Sequence, residues 1–307
     1  MTLKEQIRAN RWRTLWLLLL FALLVGVIGA IVGFAFDLSL LIVVAIVAFL
    51  YAIFSWLAAG RMVAAVTGAK PADRAMYPRL YHVVETVAIA AGLPQAPPVY
   101  VIEDNAPNAF AAGRSPKKAY VAVTTGLLSL MSERELEGVI AHEISHVRNR
   151  DVRLMTLVAV LVGVIALVSD LLLRIAFWGG GKKGGGTAGL IALVIGIVAL
   201  VIAPIAAVLI QLAVSRRREY LADASAVEVT GDGEGMALAL RKLLLDTSET
   251  KRATRAVAHL YIESPLNQAS GVRSSMRSLF DTHPPLESRI AALEESGGFQ
   301  LAAISPT

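Results

Sequence analysis

The sequence predicts a mainly α-helical membrane protein: four transmembrane helices, plus a water-exposed α+β domain assembled from two separate chain segments. Three observations carry that prediction. Of 307 residues, 56% are hydrophobic and only 17% charged, and the mean hydropathy is +0.62, more apolar than a soluble protein of this size. The apolar residues gather into four runs, Thr14 to Phe36, Leu38 to Ala59, Leu154 to Phe177 and Ala188 to Ala213, each long enough for the roughly 20 residues a span needs. Between and after the two pairs, residues 61–153 and 214–307 turn polar and carry helix and strand patterns.

This divides the chain into an N-terminal transmembrane hairpin (1–60), a water-exposed segment (61–153), a second hairpin (154–213) and a C-terminal water-exposed segment (214–307). The first span is too long for the apolar core of a cleavable signal peptide and should stay attached. The net charge of +5 and pI of 9.6 do not point to nucleic acid, because the cations collect at span ends. Lys4, Arg8, Arg11 and Arg13 precede span one, Arg61 follows span two, Arg148, Arg150 and Arg153 precede span three, and Arg216, Arg217 and Arg218 follow span four. The positive-inside rule then places both termini and both polar segments in the cytoplasm of a multi-pass protein of the cell membrane. Lys182 and Lys183 run against the rule.

In span one, Gly29 and Gly33 have the spacing of close helix packing. Tyr77 to Ala91 reads as a helix, ended by Gly92-Leu93-Pro94. Val99 to Ile102, Ala109 to Ala112 and Ala119 to Val123 read as three strands. Asn108 to Ala112, with Asn108, Ala109 and Phe110 foremost, reads as an exposed edge strand able to pair with an extended peptide, or equally as a strand buried in the domain.

The run Ser132 to Arg153 follows, and contains His142-Glu143-Ile144-Ser145-His146. Ser132 and Glu135 form a capping box, and Leu136, Val139 and Ile140 recur at helical spacing. Residues four apart on a helix lie about 6 Å apart along the axis and about 40° around it, so one metal ion can take both imidazoles. Glu143 lies about 100° from His142, badly placed as a ligand and well placed as a general base. With no cysteine in the chain, the metal must use His and carboxylate, which suits one zinc ion per chain.

In span three, Asp170 and Arg174 are four residues apart and read either as a polar relay or, the preferred reading, as a self-compensating pair near a helix end. Gly179 to Gly186 is a flexible linker, and Pro204 kinks span four. Glu219 to Val229, Gly235 to Leu245 and a stretch from Pro285 to Glu295 read as helices. Two histidines leave a tetrahedral zinc short of one protein ligand. Glu219 and Asp223 are four apart on a helix and can both face the motif; Glu219 is assigned as third ligand and Asp223 as the acceptor orienting a ligating histidine. His146 and Glu219 sit about 12 and 9 Å from the bilayer on the same side, so spans three and four join two halves of one site. His82 and His259 receive no role.

These motifs together, with Pro107-Asn108-Ala109-Phe110-Ala111 and Thr282-His283-Pro284-Pro285, resemble the HtpX family of membrane-bound zinc metalloproteases, relatives of the CAAX prenyl proteases. The resemblance implies a zincin-like domain, zinc on His142, His146 and Glu219, Glu143 as base, and misfolded or damaged membrane proteins as substrates, under heat or envelope stress. It also places His283 near the active site, as a candidate donor to the developing oxyanion, with Tyr220 the weaker one. An intramembrane protease is excluded by the charges flanking the motif, Glu133 to Glu137 and Arg148 to Asp151. The alternative of another class is a non-catalytic zinc-binding membrane protein, against which stand the missing thiolates and the retained Glu143.

Overall fold

The computed structural model describes residues 12, 15, 16, 19, 23, 38–158, 160, 216–248 and 284–302. Expectations on Gly29, Gly33, Asp170, Arg174, the glycine-rich loop, Pro204, His259 and His283, and on most of spans one, three and four, fall outside those residues. Among the described residues the elements run α1 (Leu38–Thr67), β1 (Lys70–Pro71), α2 (Pro78–Ala90), β2 (Val99–Ile102), β3 (Ala109–Gly113), β4 (Ala119–Thr124), α3 (Thr125–Leu130), α4 (Glu133–Arg148), α5 (Arg216–Thr230), α6 (Gly233–Leu245) and α7 (Leu286–Gly297).

α1 coincides with the second expected span but does not stop at Ala59. It continues to Thr67, whose hydroxyl donates back to the Val63 carbonyl at 2.8 Å. Ile42, Ile46, Leu50, Ile53, Phe54 and Leu57 lie exposed along it. Taken over the fully described residues, no helix is long and apolar enough to cross a membrane.

The sheet has the order β1-β2-β4-β3, with β2 and β4 parallel and the outer strands antiparallel to their neighbours. Period-two alternation sends Val99, Val101, Ala109, Ala111, Val121 and Val123 into a core with α2, α4 and α6. The opposite face buries Ile102, Phe110, Ala112 and Tyr120 with Val63 of α1 and with Met155. Covered on both sides, these strands read as nearly continuous apolar runs. The three expected strands are present; β1 and α3, too short for a period to register, were not anticipated.

α4 starts on the expected capping box: the Ser132 N–H donates to Glu135 Oε2 at 2.7 Å, and the Glu135 N–H to Ser132 Oγ at 3.4 Å. Glu135 Oε2 also accepts from Lys242 Nζ at 2.7 Å, which ties α4 to α6. Gly138 lets the two helices close, since a Cβ there would meet Met236 Cα at 3.0 Å. α4 ends at Arg148, the chain turns through Arg150 at φ 61, and a helix resumes over residues 151–158. Leu154, Met155, Leu157 and Val158 are buried, so the first turns of the expected third span pack against protein.

Candidate metal centre

α4 runs through the middle of the domain, and every residue from Gly138 to Val147 on it is buried. α5 packs against it with Glu219, Ala222, Asp223 and Ala226 inward. Two alanines one turn apart keep the helices close, so the short carboxylate arms reach the histidines. α7 closes the site by turning Leu286, Arg289 and Leu293 inward.

The Nε2 atoms of His142 and His146 lie 3.2 Å apart. Glu219 Oε2 is 3.6 Å from the first and Oε1 is 3.7 Å from the second. A tetrahedral ion with bonds of about 2.0–2.1 Å has ligand–ligand edges of about 3.3–3.4 Å. The imidazole pair and each carboxylate oxygen's nearer histidine are close to that spacing, and one donor atom from each of the three residues lies within 4.8 Å of the others, so this cluster could hold a metal ion. Chemistry agrees with geometry: His142 Nδ1 lies 2.8 Å from Asp223 Oδ1 and His146 Nδ1 lies 3.4 Å from Asp151 Oδ2. When each Nδ1–H donates to its carboxylate, both Nε2 lone pairs face each other, an arrangement that a cation relieves.

The electrostatics favour positive charge at this spot. Burial opposes charge on His142, yet Asp223 and Glu219 outweigh it and hold the imidazole up at about 9. Burial likewise opposes charge on Asp223, but Arg289 and His142 hold its carboxyl down at about 2. Arg289, fully buried, grips Asp223 through Nε at 2.8 Å and Nη2 at 2.5 Å. Glu143 is buried beside the cluster. Burial pushes its carboxyl up, the neighbouring histidines pull it down, and the Ala111 N–H donates to it.

The structure thus brings His142, Glu143, His146, Glu219 and Asp223 together. Tyr220 is half-buried without a hydrogen bond among the described residues, His82 is exposed on α2, and His283 lies outside the described residues. Two site residues escaped sequence reasoning. Asp151 stood in a charged run after the motif and is in fact fully buried. Arg289 had a readable signal, a lone cation on the apolar stripe Leu286, Ile290, Leu293.

The strand expectation needs a correction. β3 is the sheet's edge, but all five of its residues are buried, as is Asn108. In its register with β4, Ala109, Ala111 and Gly113 turn their backbone groups away from the sheet. Their N–H groups donate to Asn108 Oδ1 at 2.8 Å, to Glu143, and to Thr156 Oγ1 at 2.9 Å.

The model of peptidase family M48 matches residues 75–296 of this chain. The chain is 42% identical to a Tropheryma whipplei (strain TW08/27) protein named protease HtpX homolog, over 95% of this chain and 97% of the relative. Proteins of the same name from Thermoanaerobacter pseudethanolicus and Listeria monocytogenes serotype 4a are 41% and 42% identical, over 95% and 94% of this chain and 97% and 98% of theirs.

Proposed function

The chain belongs to peptidase family M48 and is a metalloprotease, and from that premise we propose that it is a membrane-bound zinc endopeptidase acting on misfolded or damaged membrane proteins at the cytoplasmic face. The observation that carries this reading is the convergence of His142 Nε2, His146 Nε2 and the Glu219 carboxylate beside a buried Glu143. A donor set of two imidazoles and one carboxylate, leaving a tetrahedral position open, suits catalytic zinc. The membrane assignment rests on the four apolar runs, the cations at their ends, and the exposed apolar stripe of α1. On this reading residues 1–60 and 154–213 form hairpins, and residues 61–153 and 214–307 share one domain.

A bound zinc ion supplies Lewis acidity to a water and to the scissile carbonyl. His142, His146 and Glu219 hold it, and Asp223 and Asp151 fix the two rings through their Nδ1–H groups. Glu143 takes the attacking water's proton and passes it to the leaving amine, a double duty that suits a carboxyl raised by burial. His283 donates to the developing oxyanion. The envelope-stress role follows from the family resemblance alone.

The test compares purified wild type with Glu143→Gln, each stripped of metal and resupplied with zinc, for bound zinc and for cleavage of an unfolded protein. Equal zinc with turnover reduced about 10²–10⁴-fold is expected; equal cleavage by both would remove Glu143 from the chemistry. His283→Ala should lower turnover at unchanged zinc content.

A further inference from the structure

Away from the metal centre, two adjoining cavities share Arg114 and Lys117. One, of about 430 Å³, is lined by Arg114, Lys117, Arg148, Arg150 and Arg153. The other, of about 670 Å³, adds Arg61, Lys118, Tyr100 and Tyr120. No carboxylate among the described residues lines either one. Among the described residues, Arg61, Arg114, Lys117, Lys118, Arg148 and Arg150 make no ion pair. These six cations, facing a hollow with no counter-charge among the described residues, repel one another, and an anion relieves them. Arg150 holds φ 61, a backbone shape that glycine or asparagine adopts more easily, so the turn itself does not call for a cation there.

The hollow sits where the uncharged stretch of α1 ends. Leu57 and Gly60 of α1 line it, Leu57 is 59% exposed, and residues 38–59 contain no charge. The Arg153 guanidinium lies 5.0 Å over the ring of Trp56, a residue type that favours the membrane interface. We propose that this basic hollow binds a phosphate group, supplied by the headgroup of an anionic phospholipid of the cytoplasmic leaflet. The phosphate chemistry rests on the cations alone; the lipid source rests on the membrane reading above. An acidic polypeptide is the competing occupant, and the adjoining apolar helix favours lipid.

The experiment measures thermal stabilisation of delipidated full-length protein in a neutral detergent. The probes are dioctanoyl phosphatidylglycerol, dioctanoyl phosphatidylcholine, inorganic phosphate and tetraglutamate, applied to wild type and to the triple variant R114Q/K117Q/R150Q. All three positions are exposed or half-exposed, and unchanged zinc content reports a folded domain. The expected result is stabilisation of wild type by the phosphatidylglycerol and not the phosphatidylcholine, with affinity roughly a hundredfold weaker in the variant. Equal stabilisation by inorganic phosphate, lost in the variant, would keep the phosphate site and overturn the lipid source. A response to tetraglutamate alone would replace phosphate by polypeptide. Equal affinity in variant and wild type, or an equal response to phosphatidylcholine, would overturn the site. The membrane reading fails separately, if alkaline carbonate releases the chain from membranes.

Discussion

His142 and His146 sit one turn apart on α4, and the two rings are held by unlike means. His142 Nδ1 meets Asp223 at 2.8 Å, and Asp223 is gripped at two points by Arg289, so three elements far apart in sequence fix one imidazole. His146 Nδ1 meets Asp151 at 3.4 Å, five residues further along the same stretch of chain. One ring is oriented by tertiary assembly and the other by a local turn. The difference teaches that a metal-binding geometry written into one helix is finished only when α5 and α7 dock on it.

The largest expected effect strikes the assembled side. Asp223→Ala leaves Arg289 fully buried without its carboxylate, a loss of about 3–5 kcal/mol, and should weaken metal binding about 10–100-fold. Chemical denaturation and metal titration measure the two separately. The double variant Asp223→Leu/Arg289→Met should recover most of the stability, because a buried pair replaced whole by apolar groups costs little, but not the affinity. Recovery of both would mean that the pair serves packing alone, and the comparison would collapse.

Asp151→Asn probes the local side. It keeps an acceptor near His146 while removing the charge, and the contact is already long. Metal affinity should fall by less than about tenfold, with stability changed by about 1 kcal/mol or less. A loss equal to that of the Asp223 variant would show that both rings depend alike on their carboxylates.

The same contrast explains what could be read from the sequence. The capping box, the two imidazoles on one side of a helix, and the carboxylates Glu219 and Asp223 four apart all follow from helical period, so the motif and its partner helix were legible. Asp151 was not, because its burial depends on a left-handed turn at Arg150, a position no local preference assigns to arginine. Arg289 became meaningful only once α7 lay against Asp223, although its place on an apolar stripe marked it as unusual. The burial of β3 depended on Met155, which the apolar pattern had assigned wholly to a span. Hydropathy alone does not separate lipid-facing from protein-facing residues.

The smallest expected effect lies at the seam joining α4 to α6. Burial raises the Glu135 carboxyl, but Lys242 and Ser132 outweigh it and hold the group below its ordinary value of 4.5. A carboxyl lowered on folding stabilises fully above its unfolded value, and that contribution disappears as pH falls through the folded one. Glu135→Gln should therefore cost about 1–2 kcal/mol near neutrality. Denaturation of variant and wild type should converge as pH drops from about 5 to about 3. Because α6 packs on both α4 and α7, a looser seam should lower metal affinity slightly through His142. Combined with Asp151→Asn, which acts through His146, the two losses should simply add, as for independent sites. A coupling between them larger than about 0.5 kcal/mol would mean that the local and assembled sides of the site are one cooperative unit.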